Sequence, residues 1–169
     1  MYIPGIIVDA IVRLEGTDQI IGIASVTLPD IEHSVEEIKG LGVDTFEQVN
    51  PSSTNALTLQ LKFNGFNKNM TLGKNDVANL VIKAAIGGMD SDVHGFVQKA
   101  MIISCKGRVK KRTGGELGKG TKNEPEIELA LTYYKQEIEG EVIVEIDKLN
   151  TIAIIDGKDV YEETRKILS

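Results

Sequence analysis

The chain has 169 residues, a formal net charge of -6 and 41% hydrophobic residues, a composition typical of a soluble domain with its own core. It contains no run of about 18 apolar residues, so no membrane span is predicted, and its start lacks the basic n-region of a signal peptide. The only cysteine, Cys105, excludes an intrachain disulfide and suits a reducing compartment. We predict a single domain over residues 1–169.

The first part of the chain predicts β-strands. Residues 6–15 and 19–28 are apolar runs on either side of a turn at 16–18, and this pattern predicts a β-hairpin. Residues 31–38 form a mixed strand with a polar face of period two. That face consists of Glu32, Ser34 and Glu36.

The next two segments differ in their patterning. Residues 40–55 contain turn-forming residues and little periodicity, which predicts a long loop. Residues 56–66 alternate between apolar and polar side chains, with Thr58 and Gln60 on the polar side. This alternation is the clearest signal of a half-buried strand in the chain.

Residues 75–86 have the spacing of an amphipathic helix. Asn75 or Asp76 can cap its N-terminus, and Gly87 with Gly88 can end it. The apolar stripe is interpreted as core packing. It consists of Val77, Leu80, Val81, Ala84 and Ala85.

The C-terminal half predicts a long β-hairpin with a basic tip. Its arms span about residues 96–111 and 125–136, and the tip between them is too long for a two-residue turn. Seven basic residues and one acid lie between Lys106 and Lys122, whereas the rest of the chain is acidic. Loops of this length are usually functional or disordered, and a basic loop on an acidic body can attract copies of the same protein. The tip therefore indicates contact between proteins.

The remaining segments complete the predicted elements. Alternation along the second arm places Tyr133 on the buried face and Tyr134 on the polar face. After a turn at 139–140, residues 142–148 alternate as another strand. A short apolar strand at 152–155, a turn at 156–157 and a terminal helix at 160–168 follow.

The sequence carries no signature of a catalytic or cofactor site. The basic tip does not match a P-loop, because Gly118 and Lys119 are followed by Gly120 and then a strand. Asp90, Asp92 and His94 alternate, so a strand would place all three on one side as metal ligands, but the composition is that of an ordinary solvated loop. No serine lies in a nucleophile-elbow motif. We therefore predict no enzyme activity, no cofactor and no metal site.

Short segments in a fixed order carry a family resemblance over nearly the whole chain. They are residues 25–29 (SVTLP), 37–42 (EIKGLG), 56–57 with 65–66, 107–110 (GRVK) before a glycine-rich loop, 132–135 (TYYK), Gly140 and 145–150 (EIDKLN). Taken in order, these segments resemble the major tail tube protein of contractile-tailed bacteriophages and of phage-tail-like bacteriocins.

The resemblance implies a mainly β fold with one to two α-helices, in which two packed antiparallel sheets join those of neighbouring subunits into a continuous barrel. It implies hexameric rings that stack into a hollow conduit for DNA or effectors inside a sheath. The implied partners are further copies of the chain, a sheath protein, a baseplate and a tail terminator, while DNA passes without specific binding. The implied location is the virion tail or a phage-tail-like particle, assembled in the bacterial host cytoplasm.

Three candidate contact surfaces follow from this hypothesis. DNA must slide through the tube, so we expect an acidic or polar lumen. The apolar side chains of loop 40–55 would be exposed on a monomer, so we expect them to reach another subunit, and the basic tip should contact the next ring or the sheath. The candidate lumen residues are Glu32, Ser34, Glu36, Thr58, Gln60, Glu128, Thr132, Glu141 and Glu145; the inter-subunit loop residues are Leu41, Val43, Phe46 and Val49; the ring or sheath contacts are Lys110, Lys111, Arg112, Lys119 and Lys122.

An alternative hypothesis is a nucleic-acid-binding β-module that uses the basic loop 106–122. Single-stranded nucleic acids are commonly bound by stacking bases on aromatic side chains. No Phe or Tyr lies between Lys106 and Lys122. The loop therefore lacks a stacking platform, and we favour the tube-subunit hypothesis.

Overall fold

The structure, a computed structural model, describes residues 1–16, 19–72 and 77–169. These residues form eleven β-strands, one 3-10 turn and one short α-helix. The predicted mainly β class is therefore confirmed. The elements are β1 (Tyr2–Leu14), β2 (Ile23–Thr27), β3 (Val35–Gly40), β4 (Val43–Val49), β5 (Leu57–Phe63), the 3-10 turn (Lys68–Met70), β6 (Ala78–Asp90), β7 (Gly95–Thr113), β8 (Glu126–Ile138), β9 (Glu141–Asp147), β10 (Ile152–Ile155), β11 (Lys158–Asp159) and α1 (Glu162–Leu168).

Nine of these strands form one antiparallel sheet within the described ranges. Its main path runs β1-β6-β7-β8-β9-β10-β11, and β5 joins β8 as a branch with β2 beyond it. β5 pairs with residues 126–131 of β8, and β9 pairs with residues 133–138. One edge of β8 therefore pairs with both β5 and β9, and the other edge of β8 pairs with β7. β3 and β4 form a separate two-stranded sheet.

One hydrophobic cluster lies inside the curled sheet. It contains residues from β5, β6, β7, β8, β9 and β10, which are far apart in the strand order. The sheet must therefore curl until its two halves face each other, as two packed layers do. Leu59 and Leu61 of β5 and Ile127 of β8 are fully buried. The alternation predicted for residues 56–66 is confirmed, because β5 buries every second side chain.

The helix predicted at residues 75–86 is wrong, because this segment lies mostly in β6. Ala78, Leu80 and Ile82 are buried while the residues between them are less buried, which is the period of a strand. Apolar residues here are dense enough to fit either a helical or a strand period. Pairing with β1 on one edge and β7 on the other selects the strand.

The predicted ends of that helix have other roles. Asn75 and Asp76 lie outside the described residues. Gly87 and Gly88 lie inside β6, where a Cβ atom on Gly88 would collide with the Ile3 carbonyl oxygen of β1. The glycine therefore permits a close approach between the two strands, which is a recognised use of glycine inside a strand.

The hairpin predicted from residues 6–15 and 19–28 does not form. β1 pairs with β6 and β2 pairs with β5, so the two strands lie in different parts of the sheet. A bridge between Arg13 and Gln19 marks the reversal, and Thr17 and Asp18 of the predicted turn lie outside the described residues. β1 has 13 residues and β2 has only five. Pairing with the long strand β6 therefore satisfies more backbone hydrogen bonds of β1 than pairing with β2 could.

The loop predicted at residues 40–55 is wrong over its first half, which contains β4. β3 and β4 pair as a hairpin, with Gly42 at the turn in a left-handed conformation (φ 76°). Val43, Thr45 and Phe46 are residue types that favour strands. The strand was missed because neither face of the hairpin is buried, so the sequence does not alternate between apolar and polar residues.

The prediction that Tyr133 faces the core is also wrong, since Tyr134 is buried at 2% exposed. Next to the pair formed by Lys106 and Tyr133, β8 contains one extra residue, Thr132. A β-bulge of this kind shifts the alternation of side chains by one position. After the bulge, Tyr133, which was predicted to face the core, faces outward, and Tyr134, which was predicted to face outward, lies in the core.

The C-terminal elements are confirmed by β9, β10 and α1. Glu139 and Gly140 both have positive φ values, 52° and 83°. Asp156 and Gly157 repeat this pattern with 55° and 80°. Two consecutive residues with positive φ are typical of the type I′ turn, whose twist matches that of the flanking strands.

We expect Leu59→Ala to lower the free energy of unfolding by about 2–5 kcal/mol, because it leaves a cavity at a fully buried site. Urea unfolding followed by circular dichroism measures the change. The matched control is Leu117→Ala, since Leu117 is 84% exposed and its truncation should change stability by less than about 0.5 kcal/mol. Equal effects of the two substitutions would contradict this description of the core.

We also expect the Cys105 thiol to be unreactive in the folded protein. The residue is 2% exposed, and burial raises the pKa of its thiol to about 12. Since the thiolate is the nucleophile, a thiol-specific reagent at mildly alkaline pH should label the native protein at least about 100-fold more slowly than the urea-unfolded protein. Equal labelling rates would mean that β7 opens readily.

Candidate assembly surfaces

The β3–β4 hairpin and its root, residues 30–55, form an arm that we call the acidic arm. Every residue of both strands is exposed. Leu41 at the turn is fully exposed, and the other large apolar side chains of the hairpin are between 40% and 48% exposed. They are Val35, Ile38, Val43, Phe46 and Val49. Together with Leu41, this set includes all four residues predicted as inter-subunit contacts.

The root of the acidic arm is tied to the sheet by hydrogen bonds. The Asn55 side chain accepts from the Glu32 N–H (2.7 Å) and donates to the Asp30 carbonyl oxygen (2.8 Å). Lys148 Nζ, just beyond β9, donates to the carbonyl oxygens of Thr54 (3.1 Å) and Asn55 (2.9 Å) and to the Thr54 hydroxyl. Partial burial of the Lys148 ammonium lowers its pKa. The arm therefore leaves the sheet from a fixed base.

Apolar pairs lie on both faces of the acidic arm. Val35 is directly opposite Val49, and Ile38 is directly opposite Phe46. Because side chains alternate along a strand, these two pairs lie on opposite faces of the hairpin. A hairpin with apolar pairs on both exposed faces is suited to insertion between other surfaces.

The same arm is strongly acidic. Six acids and one lysine lie between residues 30 and 49. Glu37 is directly opposite Glu47, and like charges in that position destabilise a strand pair. None of these acids forms a salt bridge with another residue of the described ranges. The arm therefore presents uncompensated negative charge.

The predicted basic loop, residues 106–122, consists of the end of β7 up to Thr113 and of residues 114–122 beyond it. A charge cluster lies at the base of this second part. Glu124 accepts from Lys62 (2.8 Å) and Lys122 (2.9 Å), and hydrogen bonds and charge from these two lysines lower the pKa of Glu124 to about 2. The Phe63 N–H donates to the Pro125 carbonyl oxygen (2.9 Å) at the end of β5. The end of β5 therefore lies against the base of the loop.

Hydrogen bonds also occur inside the connection between β7 and β8. Asn123 Nδ2 donates to the Glu116 carbonyl oxygen (2.5 Å), and Thr121 Oγ1 donates to that of Gly118 (2.8 Å). Leu117 extends into solvent at 84% exposed. The connection thus has a defined conformation with an apolar side chain at its surface.

The five predicted contact cations differ in what they bind. Lys110 Nζ donates to Thr58 Oγ1 (2.7 Å) and Arg112 Nη1 donates to the Met70 carbonyl oxygen (3.3 Å). Lys122 pairs with Glu124. The remaining two, Lys111 and Lys119, are exposed and form no salt bridge with any described residue. These two cations are therefore available to a partner.

Three of the candidate lumen residues come together on the outer face of β5 and β8. Gln60 is opposite Glu128, and Thr58 lies on the same strand and face. Gln60 Nε2 donates to Glu126 (2.6 Å), and Lys110 contacts Thr58. The surface is polar and carries charges of both signs.

The adjoining face of β8 and β9 contains three more candidates. Glu145 is opposite Lys135 and accepts from the Tyr133 hydroxyl (3.4 Å). Partial burial and the nearby Glu145 carboxylate raise the pKa of Tyr133. Thr132 is the bulge residue at the junction of the two faces, and Glu141 lies at the far end of β9.

The remaining lumen candidates, Glu32, Ser34 and Glu36, belong to the acidic arm. The first two lie at its root, and Glu36 lies in β3 opposite Gln48. The structure does not bring these three onto the face of β5, β8 and β9. Their separation follows from the hairpin, which the sequence pattern did not predict.

An exposed apolar surface was not identified from the sequence. It lies where β1, β6 and β7 end together, and its side chains are between 42% and 61% exposed. β1 is also an edge strand of the sheet. The signal that could have found this surface is the unbroken apolar run near the N-terminus, which is apolar on both faces of a strand. The side chains are Ile3, Ile6, Ile7, Val8, Met89 and Phe96.

The described residues contain no group of three or more His, Cys, Asp or Glu side chains arranged to hold a metal ion. Asp90 and Asp92, considered above as ligands, lie 3.6 Å and 3.1 Å from the N-terminal amino group. None of the helices in the described ranges is long and apolar enough to cross a membrane.

Two curated relatives are similar to this chain. The tail tube protein of Escherichia phage P2 is 28% identical over 150 residues, which cover 84% of each protein. The major tail tube protein of Serratia phage KSP20 is 28% identical over 157 residues, which cover 89% of this chain and 86% of the relative.

Solved structures share the fold. A chain from the sheath/tube terminator of the extracellular contractile injection system PVC has a TM-score of 0.54 at 15% identity, covering 80% of this chain and 97% of that one. A chain from the PVC sheath-tube complex has a TM-score of 0.50 at 16% identity, covering 76% and 88%. At these identities the likeness concerns the fold alone.

A family model supplies the assignment. The model for the phage tail tube protein FII matches residues 4–168, which is nearly the whole chain. The family and both curated relatives are structural proteins rather than enzymes. The chain therefore belongs to the phage tail tube protein FII family and is a structural tail tube protein.

Proposed function

We propose that this tail tube protein forms hexameric rings that stack into a hollow tube, through which DNA or an effector passes inside a contractile sheath. The tube would belong to a phage virion tail or a phage-tail-like particle that is assembled in the host cytoplasm. Contacts with a sheath, a baseplate and a tail terminator are part of the proposal. The likeness of the fold to chains from a sheath-tube complex and a tube terminator supports the sheath and the terminator as partners.

The acidic arm is the single observation that carries the proposal. Both of its strands are exposed along their whole length, and both of its faces bear apolar pairs. Large exposed apolar surfaces on a subunit mark interaction sites. An arm with two such faces suits a repeating assembly in which each subunit has several neighbours.

Open strand edges support ring formation. In the described ranges, β1 pairs with β6 along one edge, and its other edge is paired only near its end, at the bridge between Arg13 and Gln19. β2 leaves a second open edge beyond β5. Open edges readily pair with another chain. In a ring, each edge can pair with the next subunit, and closure of the ring leaves none free.

We further propose that the outer face of β5, β8 and β9 lines the lumen. Some of its charged side chains already have partners on the same subunit, as in the hydrogen bond from Gln60 to Glu126 (2.6 Å) and the ion pair Lys135–Glu137 (2.7 Å). A lining of this kind would not release many counterions from DNA, and release of counterions is what makes DNA binding tight. DNA could therefore slide without being held.

The alternative of a nucleic-acid-binding module has weaker support. Lys110, Arg112 and Lys122 of the basic loop are already engaged by Thr58 Oγ1, a carbonyl oxygen and Glu124. Cations that remain bound to protein groups neutralise few phosphates. The basic loop is therefore better explained as a protein contact.

Assembly tests the proposal directly. We expect the purified full-length protein to form six-fold rings and tubes at high concentration, visible by negative-stain and cryo-electron microscopy. A reconstruction of the tube should show the face of Thr58, Gln60, Glu128 and Glu145 toward the channel. Sedimentation of monomers only, with no rings in micrographs, would overturn the proposal.

Phe46→Asp tests the role of the arm. Phe46 is 47% exposed, so the change should alter the free energy of unfolding by less than about 1 kcal/mol. A charge in an apolar contact carries a large desolvation cost, so tubes should not form at concentrations that assemble the wild type.

The matched control is Phe46→Leu, which keeps an apolar side chain at the same position and should still give tubes. Urea unfolding of both variants verifies that the fold is intact. Normal tubes from Phe46→Asp would show that this side chain lies outside every interface.

A further inference from the structure

We propose that the acidic arm of one subunit docks on the basic loop of a second copy, so that the copies join head to tail along the tube. The inference rests on the proposed function and deepens it, because it assigns a specific pair of surfaces to the contact between successive rings. It follows from where the two surfaces lie, from their charges and from their apolar side chains.

The arm and the part of the basic loop beyond β7, residues 114–122, lie at opposite ends of β5, whereas residues 106–113 belong to β7 and run along β8 toward the far end. The root of the arm leads into Leu57, at the start of the strand, and is held there by Lys148. The other end, Phe63, is bonded to Pro125 at the base of the basic loop. At about 3.3 Å per residue, a strand of this length separates its two ends by about 20 Å.

The charges of the two surfaces are complementary. The arm has six acids against one lysine, and the part of the basic loop from Lys111 to Lys122, which leads from the level of the middle of β5 to its far end, has four basic residues against one acid. Glu37 and Glu47 face each other without a cation between them. Lys111 and Lys119 are exposed without a salt bridge to any residue that the structure describes. The acids of the arm and these two lysines are therefore not neutralised within their own subunit, and each set could be neutralised by the other across a contact between two copies.

Apolar side chains accompany the charges at both ends. On the arm, Ile38, Leu41 and Phe46 are exposed. At the other end, Leu117 of the loop is 84% exposed, and Phe66, just beyond the end of β5, is 57% exposed. Contact between these groups would bury apolar area at the centre of an interface with charged pairs around it, which is the usual arrangement of specific interfaces.

The partner is a second copy rather than the same chain. The root of the arm is fixed about 20 Å from the far end of β5, where residues 114–122 begin. All residues of β3 and β4 are exposed, so the arm does not fold back along its own subunit. A contact between opposite ends of identical subunits is heterologous, and a heterologous contact that does not close on itself repeats without limit.

Charge reversal tests the contact in the full-length protein. Lys111→Glu with Lys119→Glu changes the net charge of residues 111–122 from +3 to -1, and Glu37→Lys with Glu47→Lys reduces the net charge of the arm from -5 to -1. We expect each double variant alone to raise the critical concentration for tube formation by about tenfold or more, because like charges then meet at the interface. A 1:1 mixture of the two variants, and the quadruple variant, should recover tube formation.

Matched controls carry the same changes of net charge elsewhere. Lys158→Glu with Lys166→Glu, and Glu162→Lys with Glu163→Lys, alter exposed residues at the C-terminal end of the chain. These variants should assemble like the wild type. Tube formation by both arm and loop variants at the wild-type concentration, or failure of the mixture to recover, would overturn the inference.

A cross-link tests the same contact without requiring tubes. One copy carries Glu47→Cys and the other carries Lys119→Cys, and mild oxidation of the mixture should give mainly the mixed disulfide-linked dimer. Native Cys105 does not interfere, because it is buried. The control pair, Glu163→Cys with Lys119→Cys, should give little product.

The two experiments separate the inference from the proposed function. Tubes that form without the cross-link and tolerate charge reversal would leave the tube function standing and remove this contact. A strong cross-link in a protein that forms no rings or tubes would keep the contact and remove the proposed tube.

Discussion

Hydrogen bonding along β8 is the constraint on which the rest of the structure depends. β7 pairs along one edge of this strand, while β5 and then β9 occupy successive segments of the other. The bulge at Thr132 lies where the two branches meet, and bulges bend and twist a strand. The bend lets two branches that share one strand enclose a common core. Because β5 ends against Pro125, the same pairing also fixes the distance between the arm and the loop.

The burial of apolar side chains is divided unevenly among the strands. β5 and the first half of β8 alternate strictly and supply the most buried side chains, Leu59, Leu61 and Ile127 among them. β3, β4 and the first half of β1 bury almost nothing in the isolated subunit. Their apolar residues gain little from folding of the monomer, so the free energy of their burial remains available for contacts between subunits.

The sequence predicted the elements that bury one face. Residues 56–66, the long arms of the β7–β8 hairpin and the C-terminal strands were found because burial on one side imposes alternation. The predictions were wrong where that condition does not hold. β4 is exposed on both faces, β6 is apolar enough to imitate a helix, and β1 pairs with a strand distant in sequence. The charges and apolar residues of the two assembly surfaces could be identified from sequence, but their location at opposite ends of β5 required the fold.

The facing carboxylates of Glu37 and Glu47 have a consequence for subunits that have not yet assembled. Each free subunit exposes two strand edges on its arm, and such edges can zip together between identical chains into aggregates. Two arms that approach each other bring their rows of carboxylates together, so repulsion opposes that pairing. The same carboxylates that oppose each other inside the hairpin therefore protect its open edges against edge-to-edge pairing with an identical hairpin.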